Sequence, residues 1–205
     1  MEDHDCNLAV NTWTNVVAND FPTGWQTENG KTYYYENGEP VKSQWREIDG
    51  KTYYFRSNGQ MAVGQFKVSS KYYYFGKDGA KLTGRIYVDG AWRYFEPAYN
   101  GARVANKIIQ IGAGKYYFDS EGKMAAGMIQ VGSYYYYFDE DTGVMTVSNW
   151  VEQDGKQYYF RSNGRMAIGQ FKVSSKYYYF GKDGARLTGR IYVDGAWRYF
   201  EPAYN

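Results

Sequence analysis

The 205-residue chain carries 25 Tyr, 11 Phe, 6 Trp and 24 Gly against only 4 Pro, and aromatic residues favour strands while glycine marks turns, so its composition is β-rich and turn-rich. A formal net charge of +2 gives no reason to expect nucleic acid or another polyanion as a partner. No apolar run reaches the roughly 18 residues of a membrane-spanning helix, and with Cys6 as the single cysteine no disulfide can form within the chain.

The N-terminal stretch MEDHDCNLAV is acidic and lacks an apolar segment, so it is not a signal peptide. Residues 1–23 do not match the rest of the chain and read as a linker or the remnant of an upstream segment, with a weak helical pattern over Asn11–Ala18. The chain is expected to be a fragment of a longer array.

From residue 24 the chain repeats. Tyr-Phe pairs or their equivalents fall at Tyr34-Tyr35, Tyr54-Phe55, Tyr74-Phe75, Tyr94-Phe95, Tyr117-Phe118, Tyr137-Phe138, Tyr159-Phe160, Tyr179-Phe180 and Tyr199-Phe200, spaced by 20 to 23 residues. A period in this range marks a solenoid or array. Units start near residues 24, 44, 65, 85, 107, 128, 149, 170 and 190.

The second unit, QWREIDGKTYYFRSNGQMAVG, shows the design. Trp45–Ile48 reads as a strand, Asp49-Gly50 as a two-residue hairpin turn, and Lys51–Phe55 as the returning strand. Asn29-Gly30, Asp89-Gly90, Asp154-Gly155 and Asp194-Gly195 fill the same turn elsewhere, while Ser69-Ser70 and Ser174-Ser175 replace it in two units. Side chains alternate faces along a strand. The Phe position barely changes between units and is assigned to the core. The position three before it varies freely, and its face is assigned to the cleft between hairpins. The prediction is an all-β solenoid of about nine stacked β-hairpins over residues 24–205, each too small to be stable alone. A larger duplication overlies this one: residues 44–100 and 149–205 differ at seven of 57 positions, Thr52/Gln157 and Lys81/Arg186 among them.

Catalytic chemistry finds little to use. His4 is the only histidine, and with Cys6 it is two ligands short of a zinc site. No phosphate-cradling loop or nucleophile elbow occurs. Asp49, Asp89, Asp154 and Asp194 are turn residues, and the acidic loop Asp139–Gly143 lacks the spacing of a calcium loop. Met61, Met124, Met145 and Met166, each two residues after a turn glycine, are expected to seal the gap between hairpins. The chain reads as a non-enzyme without a cofactor.

The pattern G-W-x-x-x-[ND]-G-K-x-Y-Y-[YF]-x-x-x-G, as in Gly24–Gly38, resembles the cell-wall-binding repeat superfamily. That group includes choline-binding modules of pneumococcal surface proteins, glucan-binding repeats of streptococcal glucansucrases and receptor-binding repeats of clostridial toxins. The resemblance covers residues 24–205 and implies a secreted or bacterial-surface targeting module. Arg85–Gly101 is similar to the long repeat of the toxin arrays. Carried over, that likeness implies a saccharide site at Trp92, Arg93, Tyr94, Glu96, Tyr99 and Asn100 against Lys107, Gln110, Lys115 and Tyr117. Trp45, Tyr54, Gln65 and Lys67 supply a second mixture of aromatic faces and polar groups of the kind that holds a sugar. The expected partner is an extracellular glycan, an α-glucan or α-galactosyl oligosaccharide, bound multivalently.

Choline of teichoic acid is the alternative ligand, held in an aromatic cage by cation–π attraction. On an alignment that places Phe66, Phe171, Ile86, Ile108, Ile129 and Ile191 opposite Trp25, Trp45 and Trp150, and that gives those tryptophans Thr32, Thr52 and Gln157 as partners, most cages are broken. A structural spacer without a ligand is the reading from another class. The open ends of the array leave room for two chains to pair.

Overall fold

The structure, a computed structural model, describes residues 22–202. The weak helical pattern over Asn11–Ala18 therefore lies outside the described residues, with most of the segment read as a linker. Within them the regular elements are strands, apart from one short 3-10 turn at Pro97–Tyr99.

The longer strands form nine antiparallel hairpins in chain order, and the two-residue strands Glu39–Pro40, Lys81–Leu82, Ala102–Arg103 and Arg186–Leu187 each add a third strand to one of them. The hairpins are Gly24–Glu28 with Lys31–Glu36, Gln44–Ile48 with Lys51–Phe55, Gly64–Val68 with Lys71–Phe75, and Gly84–Val88 with Ala91–Glu96. The remaining five are Lys107–Ile111 with Gly114–Phe118, Gly127–Val131 with Tyr134–Phe138, Asn149–Gln153 with Lys156–Phe160, Gly169–Val173 with Lys176–Phe180, and Gly189–Val193 with Ala196–Phe200. Asp49 and Gly50 both take positive φ, at 51° and 72°. A two-residue type I′ turn requires this of both its central residues, and Asp or Asn followed by Gly tolerates it best. Asn29-Gly30, Asp89-Gly90, Asp154-Gly155 and Asp194-Gly195 do the same.

These hairpins form the hairpin-repeat solenoid architecture expected. Phe55, Phe75, Phe95, Phe118, Phe138, Phe160 and Phe180 are fully buried, which bears out the inward assignment of the Phe face. The opposite face differs from expectation, because the space between hairpins is filled. In several hairpins the tyrosine that precedes the Phe position packs forward onto the Phe of the following hairpin. Tyr34 meets Phe55 at 6.1 Å between ring centroids, Tyr94 meets Phe118 at 6.2 Å and Tyr117 meets Phe138 at 6.1 Å. Tyr137 and Phe160 lie 5.9 Å apart and Tyr179 and Phe200 5.5 Å. Two adjacent residues thus serve two hairpins, one plugging its own and the other covering the next.

One backbone bond joins neighbours as well. Six or seven residues after the Phe the chain returns to bridge it, as in Phe55↔Met61, Phe118↔Met124, Phe138↔Met145 and Phe160↔Met166. Each of these methionine N–H groups donates back to the preceding hairpin: Met61 to the Thr32 carbonyl, Met124 to Trp92, Met145 to Lys115 and Met166 to Tyr135, each at 2.8 Å. The methionine side chains lie where a Cβ on Gly79, Gly143, Gly164 or Gly184 would be. They fill the gap to the next turn, as the sequence suggests.

The described residues divide into two compact units, 22–64 with 75–81 and 65–74 with 82–202. In the first, Val41, Tyr53, Phe55 and Ala80 form one buried cluster. In the second, Val104, Ile109 and Phe118 form one, and Tyr159, Ala167 and Phe180 another.

Candidate functional site

Strand register decides which aromatic side chains meet. Trp25 pairs with Tyr34, Trp45 with Tyr54 and Trp150 with Tyr159. Each tryptophan lies ten residues before the Phe-position residue, whereas Ile86, Ile129, Phe171 and Ile191 lie nine before theirs. Those four pair one rung further along, Ile86 with Arg93, Ile129 with Tyr136, Phe171 with Tyr178 and Ile191 with Arg198. A one-residue offset on a strand is a change of face. They are therefore not equivalents of the tryptophans, and the alignment that sets them opposite Trp25, Trp45 and Trp150 is wrong. The true equivalents are Arg85, Ile108, Met128, Gln170 and Arg190, opposite Tyr94, Tyr117, Tyr137, Tyr179 and Tyr199. Counting residues back from the Phe would have separated the two sets.

The same register leaves most units without a cage tryptophan but corrects the partners at the three that have one. The strand-two partner of Trp25 is Tyr34, not Thr32, and Tyr53 of the next hairpin closes the third side. Trp25 meets Tyr34 at 5.1 Å and Tyr53 at 4.9 Å, both edge-to-face with interplanar angles near 70°. Trp150 repeats this with Tyr159 at 5.2 Å and Tyr178 at 4.9 Å. Trp45 stands against Tyr54 at 5.1 Å and Phe75 at 5.7 Å. At Trp25 and Trp150 three rings set at steep angles make an aromatic corner, and at Trp45 the rings are less steep, but in each the negative ring faces attract a cation. Trp25 remains 39% exposed, so its corner opens to solvent.

Two of the three corners hold a cation of the chain itself. Lys81 Nζ lies 5.3 Å from the Trp45 ring centroid. Arg186 Cζ lies 5.8 Å from Trp150 and 4.9 Å from Tyr178. Burial lowers the Lys81 pKa from its ordinary value, because the charged form loses solvent there. Arg186 is fixed further, donating to Gln157 Oε1 at 2.9 Å and to the Glu201 carbonyl at 2.7 Å. At Trp25 the corresponding bridge position is Met61, and among the described residues no cation is found over the Trp25 ring.

The residues implied by the long-repeat likeness fall in several places. Glu96, Tyr99 and Lys107 border one cleft of about 260 Å³ together with Lys71 and Arg103, and Lys107 Nζ lies 5.4 Å from the Tyr99 ring. Asn100 closes the 3-10 turn beside them in a left-handed conformation. Trp92 packs edge-on against Tyr87 and beneath Arg85. Arg93 is buried and donates to the Val88 carbonyl of its own hairpin. Tyr94 and Tyr117 are committed to Phe118 and Phe138. Gln110 bonds the Gly112 carbonyl within its hairpin, and Lys115 is exposed. Of the second group, Trp45 and Tyr54 share a corner, Gln65 accepts from Arg103 at 3.3 Å and Lys67 covers Tyr72 at 5.7 Å. Tyr34, Tyr53, Lys81 and Arg186 were not singled out in the sequence.

Among the described residues no group of three or more His, Cys, Asp or Glu side chains could hold a metal ion. None of their helices is long and apolar enough to cross a membrane.

Comparison with known proteins gives a consistent pattern. A family model described as the choline-binding repeat matches residues 41–75, 67–108, 105–150, 147–182 and 168–203. One described as a putative cell wall binding repeat matches residues 23–38. A search of curated protein sequences returned no match. Among solved structures, choline binding protein F from Streptococcus pneumoniae aligns with 31% identity and a TM-score of 0.68, over 82% of this chain and 58% of that one. CbpJ from the same organism aligns with 25% identity and a TM-score of 0.63, over 86% and 92%. The choline-binding domain of its CbpL gives 27% and 0.56, over 81% and 97%. The chain thus spans a little over half the length of choline binding protein F.

Proposed function

The chain belongs to the choline-binding repeat family, and on that premise we propose that it is a non-catalytic module binding quaternary ammonium groups, choline of teichoic acid in particular, at a bacterial surface. The ligand enters the corner of Trp25, Tyr34 and Tyr53. One observation carries this reading: the corners at Trp45 and Trp150 place a cation over their rings, and the Trp25 corner has the ring geometry of Trp150 with methionine, not a cation, at the bridge position. A trimethylammonium group suits such a corner because it carries charge without strong hydration, so little solvation is lost on entry. Retention of the intact chain on an immobilised quaternary-ammonium resin, with release by free choline, is the expected result. Passage through the resin unretained would remove the proposal.

A second reading rests on the cleft of Glu96, Tyr99, Lys107, Lys71 and Arg103, where a ring face stands beside charged hydrogen-bonding groups. That mixture suits an extracellular oligosaccharide such as an α-glucan or α-galactosyl chain. A glycan array probed with the chain in saturating choline tests it. Binding that persists there and falls on Tyr99→Ala supports a separate sugar site, and no binding excludes it. A chain that met neither ligand would be a spacer.

A further inference from the structure

We infer that Lys81 and Arg186 are built-in ligands that close the Trp45 and Trp150 corners to free quaternary ammonium, leaving the Trp25 corner as the open one of the three. The inference rests on the choline reading and specifies which corners it applies to.

The position in question is the one that bridges back to the Phe. It holds Met61, Met124, Met145 and Met166 in four hairpins, Lys81 in the third and Arg186 in the eighth. The methionine side chains run forward to the next turn, whereas a long cationic side chain here reaches back to the first strand of the preceding hairpin. Lys81 and Arg186 reach Trp45 and Trp150 in this way, and Arg103, also a bridge residue, reaches Gln65. In the third and eighth hairpins a cation thus replaces the apolar bridge residue, and a Trp stands opposite each.

The internal duplication supplies independent support. Of the seven differences between residues 44–100 and 149–205, two fall on one contact, Lys81/Arg186 and Thr52/Gln157. Arg186 donates to Gln157 Oε1 at 2.9 Å. The two copies keep a positive charge over the tryptophan although the side chain differs, and the copy with arginine has an acceptor beside it that holds the guanidinium.

A tethered cation has a large advantage over a free one. It acts at an effective concentration of about millimolar or more without losing translational freedom. It also repels a second positive charge from the same ring faces. A corner that binds choline weakly cannot do so against both effects.

Titration calorimetry with choline chloride tests the inference on the intact chain, comparing wild type, Lys81→Met/Arg186→Met and Trp25→Ala. Methionine already occupies the bridge in four hairpins, so the double variant keeps the fold, and circular dichroism checks it. Wild type is expected to bind at one corner and the double variant at three. A double variant with no more sites than wild type, or a wild type that already fills three, overturns the inference. The proposed function fails separately. A wild type that binds nothing, beside a double variant that binds two, would remove the Trp25 site and keep the capping. A second measurement does not depend on any variant: the Lys81 ε-methylene protons should resonate upfield from ring current, and an ordinary random-coil shift would show that the cap is not in place.

Discussion

Phe118 has no surface exposed and takes Tyr94 on one side. Truncating it to alanine leaves a void in a cluster that also contains Val104 and Ile109, and is expected to cost about 3–5 kcal/mol in urea unfolding. A loss under about 1 kcal/mol would mean the site collapses freely, contrary to this packing. Gly143 is constrained twice, by a φ of +71° and by Met124 Cε at 2.7 Å from where a Cβ would stand. Gly143→Ala should therefore destabilise by about 1–3 kcal/mol, the left-handed backbone and the clash both contributing. Adding Met124→Ala should recover the steric part but not the backbone part, and a double-mutant cycle separates them. Charge acts more gently. Arg46 beside Glu36 holds that carboxylate below its ordinary pKa, as Lys51 does for Asp78 and Lys123 for Glu121. A carboxylate depressed in the folded chain contributes stability above its unfolded pKa, near 4, and loses it as pH falls through the folded value. The urea midpoint should therefore drop below about pH 4. A midpoint that stayed level or rose on acidification would contradict the assignment. The groups are exposed, so the effect is small and should shrink in salt.

At the level of the hairpin, the sequence was most informative where backbone chemistry leaves few choices. Asp-Gly and Asn-Gly accept two successive positive φ values, and the pairs between the two strands of a hairpin, such as Asp49-Gly50 and Asp154-Gly155, take them. The period-2 alternation ending in Phe marked the buried face. Register was less legible, because Trp150 and Phe171 look interchangeable in a list of aromatic residues. They sit ten and nine residues before their Phe, which places them on opposite faces. The Trp25, Tyr34 and Tyr53 corner was hidden by a second slip, of two residues, which set Trp25 against Thr32 in place of Tyr34. The forward packing of each Tyr on the next Phe was hidden for another reason, since it is a contact between units and has no local pattern. The cations over Trp45 and Trp150 were equally invisible, as residues 36 apart meet only after two hairpins have formed. The turns themselves are open to test. Replacing Asp154-Gly155 by Ala-Ala should lower the melting temperature, by about 1–3 kcal/mol in stability, because alanine resists the left-handed region. An unchanged melting temperature would show that the turn does not depend on those φ values.

Across the whole molecule, stability comes from neighbours. A hairpin such as Gly84–Val88 with Ala91–Glu96 covers the Phe of the next and accepts a backbone bond from it, contacts that a hairpin removed from the chain lacks. A peptide of residues 44–64 is expected to show no strand signal by circular dichroism in dilute buffer, and a folded spectrum would refute the nearest-neighbour account. The same repetition distributes possible ligand sites along the chain, while the bridge residue decides which of them is open. Copying blocks thus multiplies the scaffold without multiplying binding in proportion. In the proposed function, a quaternary ammonium group sits on Trp25 between Tyr34 and Tyr53. The most direct measurement is choline affinity for the intact chain and for Trp25→Ala, read by the change in tryptophan fluorescence and checked by calorimetry. The account predicts saturable binding that weakens about tenfold or more in the variant, the loss of one tryptophan's cation–π attraction. Equal affinity in the two proteins, or no binding to either, would contradict it.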